Sequence, residues 1–229
     1  MTTNNHHSAA FFPTGKENMF PLIRLLSRPM AAVVAHTPVT PNMVTVIGVV
    51  CGLGAAWCFL HIGSNWAMIG AGLFFLSYLF DNVDGDLARL RKMTSRLGAA
   101  LDDIGDWLVH LAFFLAVGYQ MTQTTGQPLW AWLGVAAALG GTINSVLPLF
   151  HRAGADAEEV ASFADLSADA TWVDLVGFFF RGLVKADFWL IVLALALADM
   201  LWVLLPAAAV GSQVFWMLML RKSLRTVHT

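Results

Sequence analysis

Four aspartates with helical spacing stand out in a chain that is otherwise largely apolar. Asp81 and Asp84 lie three positions apart, and Asp102 and Asp106 lie four positions apart. Residues at these separations project from one face of an α-helix, so each pair can act on one side of its own helix. A carboxylate near the centre of a membrane helix costs roughly 2.5–3.5 kcal/mol, and such residues are typical of functional sites.

The two pairs would form a cluster of four carboxylates if their helical faces met. Four anions can share a site only when cations neutralise them. Because carboxylate oxygens are hard ligands, the favoured ions are Mg²⁺ and Mn²⁺. The spacing therefore predicts a divalent-metal site.

The composition places these aspartates in a membrane protein. The 229 residues are 58% hydrophobic and only 12% charged, and the mean hydropathy is +0.67. Long apolar runs with this composition exclude an ordinary soluble domain and predict one polytopic membrane domain. No nucleic-acid partner is expected, and residues 1–12 lack the pattern of a removable signal peptide.

The predicted fold class is all-α, with six transmembrane helices after an N-terminal amphipathic helix that lies in the membrane interface. The amphipathic helix is expected at about 18–35, where Pro29 should kink or end it. Pro206 is expected to precede the last span. The six spans are predicted at about 42–61, 66–92, 96–121, 129–150, 187–204 and 207–221.

The basic residues predict the orientation of the chain. Six spans place both termini on one side, and all 13 Lys and Arg residues then fall on that same side. The positive-inside rule makes it the cytoplasmic face of a membrane, most simply a bacterial inner membrane. The aspartates lie at this face too, where water-soluble nucleotides are found.

The aspartate spacing resembles the signature of the CDP-alcohol phosphotransferase family, D-x2-D-G-x2-A-R-x8-G-x3-D-x3-D. The residues that match it are Asp81, Asp84, Gly85, Ala88, Arg89, Gly98, Asp102 and Asp106. The segment Thr40-Pro41-Asn42-Met43-Val44-Thr45 also resembles the T-P-N segment that opens the first transmembrane helix of this family. The resemblance covers about residues 38–222, between a cytosolic N-terminus at 1–37 and a cytosolic tail at 223–229.

This resemblance implies a phospholipid-synthesis transferase and a role for each of the matched residues. A phosphatidyl-type group would move from a CDP-linked donor, with CDP-diacylglycerol favoured, to an alcohol acceptor, and CMP would leave. Two Mg²⁺ or Mn²⁺ ions would be held by Asp81, Asp84 and Asp102, and also by Asp106, which is expected to be the catalytic base. A homodimer surrounded by membrane lipids is expected.

The remaining signature residues are expected to bind CDP together with Asp84. Gly85 and Ala88 would let the diphosphate approach the helix backbone, although tight helix packing is the alternative. Arg89 could pair with the diphosphate or serve only as a positive-inside anchor. Gly98 would let its helix approach the preceding one.

Three further residues beside the signature have two readings each. Asp86 and Asp103 should point away from the cluster and be solvated or cap a helix, although Asp103 is also an alternative to Asp102 in a register shifted by one residue. His110 lies one turn beyond Asp106 and could orient its carboxylate, although a core histidine is the alternative.

The acceptor is the least determined part of the reaction. Arg152, Arg181 and Lys185 leave the membrane on the same face as the aspartates, and Arg181 and Lys185 are like charges at i, i+4. Such charges repel unless an anion lies between them, so they could bind an acceptor that carries a phosphate. The alternative is that all three only enforce orientation.

Two other functions would also use a cluster of aspartates in a membrane. An intramembrane prenyltransferase also uses paired aspartates, Mg²⁺ and a diphosphate leaving group, but the Gly-x2-Ala-Arg element has no place in it. A divalent-cation carrier would need polar residues near the membrane midplane in several helices, and residues 129–150 and 187–221 supply almost none.

Overall fold

The computed structural model describes residues 23–151 and 188–226, and within these two ranges all regular secondary structure is helical. Seven α-helices and one short 3₁₀-helix, at Leu201–Val203, occur there. The α-helices are α1 Arg24–Val34, α2 Pro41–Phe59, α3 Ser64–Leu90, α4 Arg96–Thr125, α5 Leu129–His151, α6 Phe188–Leu197 and α7 Leu204–Thr226. The expected all-α class is confirmed for these residues.

Local signals at the helix ends explain where α2 and α4 begin and end. The Thr40 side chain accepts a hydrogen bond from the Met43 amide, and Pro41 occupies the first turn of α2. Ser95 caps α4 in the same way through the Gly98 amide at 3.0 Å. Gly126 has a φ of 70° and ends α4 in the left-handed conformation that favours glycine.

Helices α2, α3 and α4 pack around a core of small and aromatic residues. A β-carbon placed on Gly52 of α2 would collide with Val109 of α4, and one on Gly105 would meet Val49. The absence of side chains at these glycines lets α2 and α4 approach closely. Phe74 and Phe113 are fully buried beside them, with ring centroids 5.1 Å apart.

Helix α1 docks on the end of α3 that carries Asp84. Its buried face consists of Ser27 and Ala31, while Leu25 and Val33 are exposed on other faces. The guanidinium of Arg91, just after α3, donates hydrogen bonds to the carbonyl oxygens of four residues at the end of α1 and in the following loop. These residues are Val34, Ala35, Thr37 and Val39. Arg91 therefore fixes the path of the chain between α1 and α2.

Three of the helices are long and apolar enough to cross a membrane. They are α2, α3 and the part of α5 at Leu129–Val146, while α6 and the apolar segment Leu201–Met217 are shorter. Helix α4 is long enough, at roughly 45 Å, but carries three aspartates near its start. The chain is thus an integral membrane protein, and the arrangement of six spans stays a prediction.

Two predicted helix boundaries differ from the structure. Helix α1 continues through Pro29 to Val34, so this proline does not end it. The break before α7 lies at 198–200 rather than at Pro206, because Asp199 adopts the left-handed conformation. Pro206 instead lies in the first turn of α7, where its missing N–H is not needed. Residues 18–22 of the predicted amphipathic helix lie outside the described residues.

Candidate active site

The four signature aspartates line one pocket between α2, α3 and α4. Helix α3 contributes Asp81 and Asp84, and α4 contributes Asp102 and Asp106. The two helical faces therefore meet, as the spacing of the pairs predicts. Thr45 and His110 line the same pocket.

Asp81 and Asp102 face each other across the pocket. Their carboxyl groups lie within hydrogen-bonding reach. One oxygen of Asp102, Oδ1, is buried and has no hydrogen-bond partner among the described residues. A buried carboxylate oxygen without a donor is costly, and a cation is the group that would satisfy it.

Asp84 is the most deeply buried of the four and is bonded from α2. It is 5% exposed, and its Oδ2 accepts a hydrogen bond from the hydroxyl of Thr45. The same hydroxyl lies 3.2 Å from the carbonyl oxygen of Pro41. Sequence reasoning noticed Thr45 only as part of an opening segment, because a contact across 39 positions leaves no local spacing signal.

Asp106 and His110 form a pair at the open side of the pocket. The Nδ1 atom of His110 lies 3.1 Å from Asp106 Oδ1 and 2.9 Å from the Asp106 backbone oxygen. The imidazole also packs against the rings of Phe74 and Phe188, with centroids 6.0 and 5.7 Å away. The histidine is thus held on two sides while the Asp106 side chain remains 58% exposed.

The four carboxylates line the pocket but do not all point at one common position where a metal ion could bind. Asp84 is turned to Thr45 and Asp106 to His110, and no group of three His, Cys, Asp or Glu residues within 23–151 and 188–226 is arranged to hold a metal ion. The hard oxygen donors and the orphaned Asp102 oxygen nevertheless fit Mg²⁺ or Mn²⁺ in chemical type.

Gly85 and Arg89 lie together on α3, one turn apart. A β-carbon placed on Gly85 would lie 3.4 Å from each terminal nitrogen of the Arg89 guanidinium, and the three nearest atoms all belong to this group. The nearest contact of this glycine is therefore a side chain of its own helix. Gly98 differs, because its nearest neighbours are Ser95 and Asn42, so it faces the start of α2 rather than α3.

Asp86 is not solvated, which corrects the expectation for this residue. Its side chain is only 12% exposed and accepts a hydrogen bond from Arg89 at 2.6 Å. Its other oxygen accepts from the Ser27 hydroxyl of α1 at 2.8 Å. The predicted acceptor residues Arg152, Arg181 and Lys185 lie outside the described residues, and Ala88 is half-buried on α3.

Comparison with known proteins connects this site to named enzymes. The bifunctional IPC transferase and DIPP synthase of Thermococcus kodakarensis is 33% identical over 108 residues, 47% of this chain and 23% of the relative. The CDP-diacylglycerol–glycerol-3-phosphate 3-phosphatidyltransferase of Cereibacter sphaeroides is 37% identical over 101 residues, 43% of each chain. The chain thus spans less than half the length of these two relatives.

Solved structures show the same fold. The phosphatidylinositol phosphate synthase of Mycobacterium tuberculosis has been solved with CDP-DAG bound and in complex with manganese and citrate. The two structures are 19% and 21% identical to this chain, cover 82% and 83% of it and 90% and 88% of their own chains, and both give a TM-score of 0.54.

The family comparison covers the whole pocket. A family model described as CDP-alcohol phosphatidyltransferase matches residues 38–198, which is more than half of the chain. This range contains all eight signature positions and Thr45. The chain therefore belongs to the CDP-alcohol phosphatidyltransferase family.

Proposed function

We propose that this protein transfers a phosphatidyl-type group from CDP-diacylglycerol to the hydroxyl of an alcohol acceptor and releases CMP. The observation that carries this proposal is the pocket in which Asp81, Asp84, Asp102 and Asp106 converge from two helices. Family membership supports the reaction class. The donor is suggested by the CDP-DAG bound to the Mycobacterium tuberculosis relative.

The donor would bind at the turn of α3 that contains Gly85. The Arg89 guanidinium lies against this glycine at contact distance, where it can meet a diphosphate that approaches the helix. A guanidinium can donate two parallel hydrogen bonds to phosphate oxygens. Ala88, Gly98 and Asp84 complete the proposed CDP site.

Two divalent ions would be held by Asp81, Asp84, Asp102 and Asp106. When bound, Mg²⁺ or Mn²⁺ reduces the repulsion between an attacking oxygen and the anionic diphosphate and stabilises the leaving group. The unpartnered Asp102 oxygen supports this assignment. So does the manganese complex of the Mycobacterium tuberculosis relative.

Asp106 would act as the base for the acceptor hydroxyl. Its exposed carboxylate can be reached from the open side of the pocket. As the acceptor oxygen forms its bond to phosphorus, the hydroxyl proton passes to Asp106 and the bond from phosphorus to CMP breaks. His110, 3.1 Å away, orients the carboxylate through its Nδ1 group.

The setting of the reaction follows from the sequence. We propose six transmembrane spans within a domain at 38–222, a homodimer, and a pocket that opens to the cytoplasm of a bacterial inner membrane. The basic residues Arg89, Arg91, Lys92 and Arg96 adjoin the pocket end of α3 and α4 and support this orientation.

The proposed reaction is tested by release of CMP from purified protein. CDP-diacylglycerol should give CMP only when Mg²⁺ or Mn²⁺ and a suitable alcohol are both present, and a chelator should abolish the reaction. The Asp106→Asn variant keeps the shape of the side chain but cannot accept the proton, so it should bind CDP while losing most of the rate.

Two results would contradict the proposal. Turnover of a prenyl diphosphate without CMP release from any CDP-linked donor would favour the prenyltransferase. Cation transport by protein that releases no CMP with any acceptor in a panel would favour a carrier. The panel should pair glycerol 3-phosphate with glycerol and inositol phosphate with inositol.

We propose that the enzyme uses the acceptors in this panel that carry a phosphate. The Cereibacter sphaeroides relative is named for glycerol 3-phosphate, an alcohol that carries a phosphate. Arg181→Gln or Lys185→Gln should then raise the acceptor KM roughly tenfold, as for one lost charge-assisted hydrogen bond, and leave the donor KM unchanged. Efficient use of the uncharged alcohols, insensitive to both substitutions, would exclude Arg152, Arg181 and Lys185 as an acceptor site.

A further inference from the structure

The signature arginine is held by a residue that the signature does not contain. Arg89 Nη2 donates to Asp86 Oδ1 at 2.6 Å, and the two residues lie three positions apart on α3. The second oxygen of the same carboxylate, Oδ2, accepts from Ser27 Oγ at 2.8 Å. One carboxylate therefore joins α1 to Arg89.

The three hydrogen-bonded residues become more exposed from α1 towards Arg89. Ser27 is fully buried, the Asp86 side chain is 12% exposed, and the Arg89 side chain is 60% exposed. The buried end is anchored by the packing of α1 on α3. The exposed end would otherwise be a long, mobile side chain in water, and Asp86 restricts it to the position over Gly85.

An ion pair with an exposed partner typically contributes little to folding stability, and the Arg89 side chain of this pair is 60% exposed. The contact with Asp86 does fix the orientation of the Arg89 guanidinium, which is a hydrogen-bond donor. Asp86 engages one terminal nitrogen of Arg89, and the planar guanidinium has five N–H groups. The Arg89 side chain is 60% exposed, so the remaining N–H groups of this guanidinium, which lies against Gly85, stay available to an anion.

We infer that Asp86, held by Ser27, is a positioning residue that fixes the Arg89 guanidinium over Gly85 before the donor's diphosphate binds. This inference rests on the proposed function for the identity of the ligand. Asp86 does not itself touch the diphosphate. It acts through Arg89, by removing the cost of ordering that side chain at the moment of binding.

The kinetic test is the Asp86→Asn variant, which keeps the shape of the side chain and removes its charge. Ordering one long side chain typically costs a factor of roughly three to ten in affinity, so the KM for CDP-diacylglycerol should rise by that factor. The kcat and the acceptor KM should stay within twofold of wild type. Ser27→Ala should also raise the KM for CDP-diacylglycerol, but by a smaller factor.

A double-mutant cycle separates this role from other effects of the charge. Asp86→Asn should have no further effect on the donor KM when Arg89 is already Gln, because its action depends on Arg89. Asp199→Asn is the control, since Asp199 lies in the turn between α6 and α7 with a φ of 55°, which Asn also adopts. It should leave both KM values unchanged.

A chemical probe tests the positioning of Arg89 without any turnover. Phenylglyoxal modification of Arg89, followed by mass spectrometry of its peptide, should be faster in Asp86→Asn than in wild type. Equal rates would overturn the inference. If the wild-type protein neither releases CMP nor binds CDP, the proposed function fails, and this probe alone still decides whether Asp86 positions Arg89.

Two kinetic outcomes would overturn the inference while leaving the proposed function intact. A lower kcat with an unchanged donor KM would mean that Asp86 only supports the packing of α1. A lower donor KM in Asp86→Asn would mean that the carboxylate competes with the diphosphate for Arg89 instead of presenting it.

Discussion

At the scale of single residues, the pocket depends on hydrogen bonds that come from outside the signature. Thr45 on α2 bonds Asp84, and His110 on α4 bonds Asp106. Partners of this kind orient a carboxylate before it binds a metal or accepts a proton. The signature names the acidic groups, and these two neighbours determine where the oxygens point.

Thr45→Val tests this dependence with little change of shape. The variant removes the hydroxyl that bonds Asp84, and loss of such a partner typically weakens metal binding 10–100-fold. We expect the Mg²⁺ concentration at half-maximal CMP release to rise roughly tenfold. Thr124→Val, near the opposite end of α4, is the matched control and should leave it unchanged.

An unchanged metal requirement in Thr45→Val would remove Thr45 from the support of the site. In that case its hydroxyl would serve only the helix backbone, through the carbonyl oxygen of Pro41. Folding of both variants should be checked by their thermal unfolding, so that a loss of protein is not mistaken for a loss of metal affinity.

At the scale of helices, glycines serve different purposes at different positions. Gly52 lets α2 and α4 approach, because a β-carbon there would collide with Val109 and Ser77. Gly72 faces open space on α3, with no other atom within 4 Å of its β-carbon position. The three atoms nearest to a β-carbon on Gly85 belong to the Arg89 side chain. Replacing each of these three glycines by leucine can therefore distinguish a role in helix packing from a role in ligand access.

We predict that Gly85→Leu folds but loses roughly 100-fold in the turnover of CDP-diacylglycerol, because its side chain fills the space assigned to the diphosphate. Gly72→Leu should keep full activity. Both should unfold at or above the wild-type temperature, because leucine is the better helix former. Gly52→Leu should unfold at a lower temperature, since its side chain collides with Val109. Normal CDP binding by Gly85→Leu would contradict the proposed donor site.

The helices themselves were largely predictable, because each apolar run has clear end signals. The observed α2 and α3 begin and end within two residues of the predicted spans at 42–61 and 66–92. Helix α4 extends four residues beyond the predicted 121, since Gly126 rather than Thr122 supplies the stop. The misplaced break at Pro206 shows that a proline in a first turn is compatible with a helix start.

At the scale of the whole molecule, short connections place alternate helix ends together. The link at 91–95 adjoins the pocket and contains Arg91 and Lys92, whereas the links at 60–63 and 126–128 contain no Lys or Arg. This distribution of charge is that expected for a protein whose pocket faces the cytoplasm.

Cysteine labelling tests this orientation. With Cys51 and Cys58 replaced by Ala, Gln127→Cys should react with a membrane-impermeant maleimide added to intact spheroplasts. Thr94→Cys should react only after permeabilisation. Both positions are exposed in the structure, so a difference between them reports the side of the membrane. Labelling of Thr94→Cys from outside would contradict a cytoplasmic pocket.

The candidate site could be predicted from the sequence only in part. The convergence of the four aspartates followed from two helical spacings and the resemblance to a family signature. Thr45, Ser27 and Asp86 were missed or misjudged because their contacts span 39 or 59 positions between different helices. Helical spacing determines which residues share a face, but it does not determine which helix packs against that face.

The hydrogen bonds from Arg91 to the end of α1 and the following loop also have a consequence for the order in which the helices can pack during biosynthesis. Arg91 follows the carbonyls that it binds by 52 to 57 positions, and α2 and α3 lie between them. A nascent chain that emerges from the ribosome therefore contains α1 long before the residue that fastens it. Only after α2 and α3 have been synthesised can Arg91 bind the end of α1, so the first described helix is secured later than the two helices that follow it in the sequence.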